Sequence, residues 1–243
     1  MNRDLRRAFA RAAQSVSEAF HRAGPFPDQE VTPPLLIDAI TQCIDIAVRD
    51  AATEAASADE TENTALEPVA VEEIGTHALE CISDLSLWAY QLGLETERDA
   101  IEDLAFYFAR WIARHDGAIS VLEPVVNTLA RRANSARDPA ALASLSHAAR
   151  EVLEHVTPQL RNGAAATDPT APWRILNLNC AIVATRSQQP EIMQAAYDLL
   201  EQNLPHDCAA FYEEGLRQAE KQVYAQHVRD IVRARFAKWT TRH

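Results

Sequence analysis

Apolar positions recur along this chain at intervals of three and four, the repeat of an amphipathic helix. Leu5, Phe9, Ala12, Val16 and Phe20 mark a first stripe, and Ile37, Ile40, Ile44, Ala47 and Ala51 a second. A third runs through Val71, Ile74, Ala78, Ile82, Leu85, Ala89 and Leu92, and a fourth through Ile101, Leu104, Ala105, Phe108, Trp111 and Ile112. Leu122, Val125, Val126, Leu129 and Ala133 continue the series, and the helix near 140–156 buries Leu142, Leu145, Ala149, Val152, Leu153 and Val156. Thr32-Pro33, Asp138-Pro139 and the Pro190 that follows Ser187 supply helix-start signals. Alternating β-branched runs and Asn-Gly hairpin turns are missing, so the sequence predicts an all-α fold of stacked antiparallel hairpins, about nine to ten helices.

Three stretches break the pattern. Residues 24–34, "GPFPDQEVTPP", form a proline-rich connector. Residues 53–68 are polar and acidic with little to bury, which predicts a mobile loop over 53–66. Residues 157–172, "TPQLRNGAAATDPTAP", predict a boundary between an N-terminal bundle over 1–160 and a C-terminal four-helix subdomain over 172–243 packed on it, the alternative being one continuous domain. In that part Pro172 and Pro205 bracket a hairpin near the tetratricopeptide period. Asn177, Cys180 and Gln189 stand where that motif wants glycine, tyrosine and a small residue, so no repeat family follows.

Composition narrows the chemistry. The six glycines lie at least 18 residues apart, which removes the dinucleotide GxGxxG, the phosphate-binding GxxxxGK[ST] and the GxSxG nucleophile elbow. No apolar run reaches membrane-spanning length, and the arginine-rich first 23 residues, interrupted by Asp4 and Glu18, read as a basic first helix. Cys43, Cys81, Cys180 and Cys208 have no zinc-type spacing and sit in apolar patterns, which predicts reduced core thiols in a cytoplasmic protein without cofactors. Residues 28–104 hold 19 acidic and 2 basic side chains, whereas residues 217–243 hold 7 basic and 2 acidic. A net charge of −12 disfavours nucleic acid, so the expected partner is a protein or a second copy.

Candidate sites are few. "LAFYFARWIARHDG" at 104–117 ends in His115-Asp116-Gly117, with His115 on the apolar stripe and Gly117 placed to cap the helix. The adjacent His-Asp pair resembles the HD-type metal phosphohydrolases, which are all-helical. That resemblance implies outer ligands such as His77 and Asp138 or Asp198. A second group, His147, Glu151, Glu154 and His155, shares a face opposite its helix's apolar stripe and so points to solvent. The helix over 172–187 is apolar nearly all round, interrupted by Asn177 and Asn179. A groove is expected there, with Trp173, Arg174, Asn177 and Arg186 as binding residues. The C-terminal helix should dock through Val228, Ile231 or Val232, and Trp239, leaving Arg233 and Lys238 for an acidic surface. Exclusion favours a non-enzymatic helical interaction or regulatory module. The alternative is a metal-dependent hydrolase of HD-like type using His115 and Asp116.

Overall fold

A computed structural model describes residues 1, 3–24, 26, 29–57, 66–162, 168–221 and 224–241. Among them are eleven α-helices and no strand. They are α1 (Arg3–Ala23), α2 (Pro33–Ser57), α3 (Pro68–Gln91), α4 (Glu95–Arg114), α5 (Glu123–Ser135), α6 (Pro139–Glu154) and the single turn α7 (Pro158–Arg161). α8 (Pro172–Ser187), α9 (Pro190–Asn203), α10 (Cys208–Lys221) and α11 (Gln226–Thr240) follow, with a 3₁₀ turn over Pro205–Asp207. None is long and apolar enough to cross a membrane.

The chain divides into two units, Met1–Thr128 and Leu129–His243. The division falls inside α5, and the boundary expected at 157–172 lies within the second unit. Composition marked that connector as a break, but packing across it is direct: α6 lies against α8, where Ser146 Oγ donates to the Cys180 carbonyl at 3.4 Å.

In the first unit α1 packs on α4 and α2, α2 on α3, and α3 on α4. The stripe of α2 is rotated from its expected direction. Leu36, Ile40, Cys43, Ile44, Ala47 and Asp50 are buried, whereas Ala51 is exposed. α2 also continues through Ser57, into the stretch expected to be a loop, and residues 58–65 of that loop lie outside the described residues. The α3–α4 hairpin turns on Gly93, whose φ of +73° gives the left-handed residue of a Schellman end. Leu94 N–H then returns to the Ala89 carbonyl at 2.8 Å and Gly93 N–H to that of Tyr90 at 3.0 Å. α3 and α4 approach closely where Gly75 faces Ile112, with no room for a Cβ.

In the second unit α8 packs on α6 and α9, α9 on α6 and α11, and α10 on α11. Asp138 caps α6 by accepting the Ala141 N–H at 3.0 Å, as Asp138-Pro139 predicts. A core of Met193, Tyr197, Leu200, Cys208, Tyr212, Val228, Val232 and Trp239 joins α9, α10 and α11.

Candidate functional site

His115 lies just beyond α4, with its side chain 8% exposed, and both ring nitrogens face acceptors. Nδ1 is 2.9 Å from the Trp111 carbonyl and Nε2 is 3.0 Å from Asp50 Oδ2. Asp50 Oδ2 also accepts the indole N–H of Trp111 at 2.9 Å, and Oδ1 accepts the Leu66 N–H at 3.2 Å. The carboxylate therefore binds the end of α4 and the approach to α3 to α2. Asp50 was not foreseen as a partner. Its signal is a carboxylate three residues beyond Ala47, on the buried side of α2, where a charge needs partners.

The sequence neighbour plays a different part. Asp116 is exposed and takes the left-handed conformation that ends α4, with φ +56°. Asp116 N–H reaches the Ala113 carbonyl at 3.1 Å and Gly117 N–H that of Ile112 at 3.0 Å, a complete Schellman pair. Gly117, expected as the cap, serves close packing instead: a Cβ there would stand 2.9 Å from Ile112 Cγ2. His77 is exposed and lies 3.6 Å from Cys81 Sγ through Nε2. Among the described residues no three His, Cys, Asp or Glu side chains converge as a metal site, so His77, His115 and Asp116 do not form one cluster. His147 and Glu154 are exposed on α6, and His155 Nδ1 is engaged with the Glu151 carbonyl at 2.9 Å.

α8 separates its expected binding residues. Trp173 is buried, with the Arg161 guanidinium 5.4 Å from its ring centroid. Arg174 pairs with Asp207 through two hydrogen bonds, of 3.0 and 2.6 Å. Asn177 donates to the Trp173 carbonyl at 2.9 Å and accepts from Asn203 at 2.8 Å, so this buried amide is satisfied by its neighbours. Arg186 lines a cleft. That cleft, of about 340 Å³, is walled by Ile182, Tyr197, Phe211 and Val232, with Thr185 and Tyr224 adding hydroxyls. The Thr185 hydroxyl lies 2.6 Å from that of Tyr197. Ile182 is 44% exposed, where an all-round apolar helix was expected to be central. α8 is half covered because the cleft leaves this face open.

α11 docks as its stripe predicts, with Val228, Val232 and Trp239 buried and Ile231 half-buried. Its basic face is largely occupied. Lys238 bonds Glu201 of α9, and Arg235 reaches Asp198 at 2.6 Å and Glu201 at 2.9 Å. Burial alone would raise the Glu201 carboxyl. Hydrogen bonds from Lys238, Trp239 and Arg235, with the Arg235 charge, outweigh it and hold the group at about 2. Arg233 is exposed and pairs within its own helix with Asp230 at 3.2 Å.

A second cleft, of about 390 Å³, opens between α3, α4 and the first turn of α5. Asp84, Glu102 and Glu123 line it with Arg98, Asn127 and Ser86, and Leu87 and Tyr90 belong to the same lining. Leu87 and Tyr90 are 56% and 59% exposed, high for large apolar side chains three residues apart. Asn127 donates to Glu102 at 3.3 Å, and Arg98 sits 5.9 Å from the Tyr90 ring centroid. The buried Ser86 hydroxyl has no hydrogen-bond partner among the described residues.

The four cysteines are buried and free. Burial pushes the Cys81 and Cys180 thiols up to about 11 and that of Cys208 to about 12, which keeps them protonated and poorly nucleophilic.

No family model, curated protein or solved structure matches the chain.

Proposed function

We propose that the protein is a non-enzymatic helical interaction module whose acidic first unit receives a basic segment of a protein partner. The observation that carries this reading is the exposure of Leu87 and Tyr90 beside Asp84, Glu102 and Glu123 in the α3–α4–α5 cleft. Neighbouring exposed apolar side chains rimmed by charge are the mark of an interaction patch. A tyrosine supplies contact area at low entropic cost, and the carboxylates steer a cationic partner. Met1–Thr128 holds 23 acidic and 9 basic side chains, an excess that favours a cationic partner. The poorly nucleophilic thiols support a binding role and fit a reducing, cytoplasmic setting. The HD-like hydrolase reading draws less support, because the His115 ring nitrogens face Asp50 and the Trp111 carbonyl and no three His, Cys, Asp or Glu side chains converge as a metal site among the described residues.

Site-specific photocrosslinking tests the proposal. A photoreactive amino acid at Tyr90, in cells of the source organism, should capture a discrete protein. The same probe at exposed Ala140 of α6 should not. Reversing Asp84→Lys with Glu123→Lys should abolish the product. Equal labelling at both positions, or a product indifferent to the reversals, would refute the reading. Capture of a second copy of this chain would make the partner a self-contact.

A further inference from the structure

Arg186 carries a charge that no carboxylate answers among the described residues. Nη1 donates to the Ala133 carbonyl at 2.6 Å and Nη2 to that of Ala136 at 3.0 Å. These are neutral acceptors at the end of α5, so they satisfy two donors and leave the charge uncompensated. Arg174 and Arg235, in the same unit, each meet a carboxylate at 2.6 Å, and Lys238 meets Glu201. The carboxylate that shares the Arg186 cleft is Glu214, and it is already bound by Arg217 at 2.7 Å and by the Gln218 amide at 2.6 Å.

The surroundings of Arg186 have a consistent chemistry. Ile182, Phe211, Tyr197 and Val232 form apolar walls, and the cleft's volume suits a small molecule. Tyr224 lines the same cleft as Arg186; burial pushes its phenol up while the Arg186 charge pulls it down. A half-buried cation in an apolar cleft attracts an anion more strongly than the same cation in water. A guanidinium has five N–H donors, and two bonds to carbonyls leave donors for a carboxylate.

We propose that the cleft between α8, α10 and α11 binds a small apolar carboxylate. Its ring or chain lies against Ile182, Phe211 and Val232, and its acid group lies on Arg186 and the Tyr224 hydroxyl. This site is independent of the acidic cleft in the first unit, and its ligand has the opposite charge.

Titration calorimetry on the full chain tests the site with two probes of equal shape, 2-naphthoate and the uncharged 2-naphthamide. The expected result is one site per chain for 2-naphthoate, with 2-naphthamide weaker by about tenfold or more. Arg186→Gln should remove that preference. Because Arg186 also closes α5, Ile182→Glu at the exposed rim gives a second arm. It should weaken 2-naphthoate by about tenfold at an unchanged melting temperature. Equal affinity for the two probes, binding untouched by Ile182→Glu, or no binding at about 10 mM 2-naphthoate would each overturn the proposal.

Discussion

Asp50 shows how one residue organises its surroundings. Its two oxygens serve the Trp111 indole, the Leu66 amide and the His115 ring, all at 3.2 Å or less. Asp50→Ala strands at least two buried donors, so it should cost about 3 kcal/mol in urea unfolding. His115→Ala removes the ring's contacts with Asp50 and the Trp111 carbonyl but leaves the indole and Leu66 amide paired with Asp50, and should cost less. Neither variant should change metal content, which plasma mass spectrometry should find below one ion per chain, and chelator should leave the melting temperature unchanged. A stoichiometric ion lost in His115→Ala would restore the hydrolase alternative. The glycines separate two kinds of constraint. Gly93→Ala meets open space but must hold φ +73°, for about 1 kcal/mol. Gly117→Ala faces Ile112 and Glu72 side chains and should cost about 1–3 kcal/mol through overpacking.

At the scale of elements, α11 is held by an apolar edge and a shared carboxylate. Trp239→Ala should cost about 3 kcal/mol, because a buried indole leaves a cavity. Arg233→Glu should be nearly silent, since its pair with Asp230 is exposed on both sides. Lys238→Glu should destabilise, because it sets a second carboxylate against Glu201. The basic face expected to stay free is thus split: Lys238, though exposed, is tied to Glu201 of α9, whereas Arg233 pairs only within its own helix. Acid titration reads the same contact. Glu201 falls from an ordinary 4.5 to about 2 on folding, so the unfolded chain binds its proton more tightly. The resulting stability is complete above about pH 4.5 and disappears as pH falls toward 2. Discounted for solvent screening it is on the order of 1–2 kcal/mol, and Glu201→Gln should flatten that part of the acid limb.

Across the whole molecule, charge is divided unequally. Met1–Thr128 carries 23 acidic against 9 basic side chains, whereas Leu129–His243 carries 12 against 14. The first unit repels itself, and screening should relieve it. Raising sodium chloride from about 20 mM to about 300 mM should therefore raise the thermal midpoint by a few degrees. A falling midpoint would mean that pairs such as Arg174–Asp207 and Arg235–Glu201 outweigh the repulsion.

Sequence periodicity alone determined the helical class, because burying one face of a helix fixes spacing without regard to partners. It placed the buried faces of α1, α4 and α5 closely, and Phe9, Val16, Phe108, Trp111, Val125 and Leu129 are all buried. It also brought His115 coreward and Trp239 under α11. What periodicity could not supply is the partner across the gap. Asp50 meets Trp111 across 61 positions, and Arg186 meets Ala133 across 53. Both pairings depend on helix packing rather than local spacing. The same limit explains Ala51 and Ile182, apolar residues that no neighbouring element covers among the described residues. It also explains Trp173, Arg174 and Asn177, polar or aromatic groups that the tertiary structure uses internally. A helix's own sequence says which residues avoid water or demand a partner; only the packed chain decides which neighbour answers.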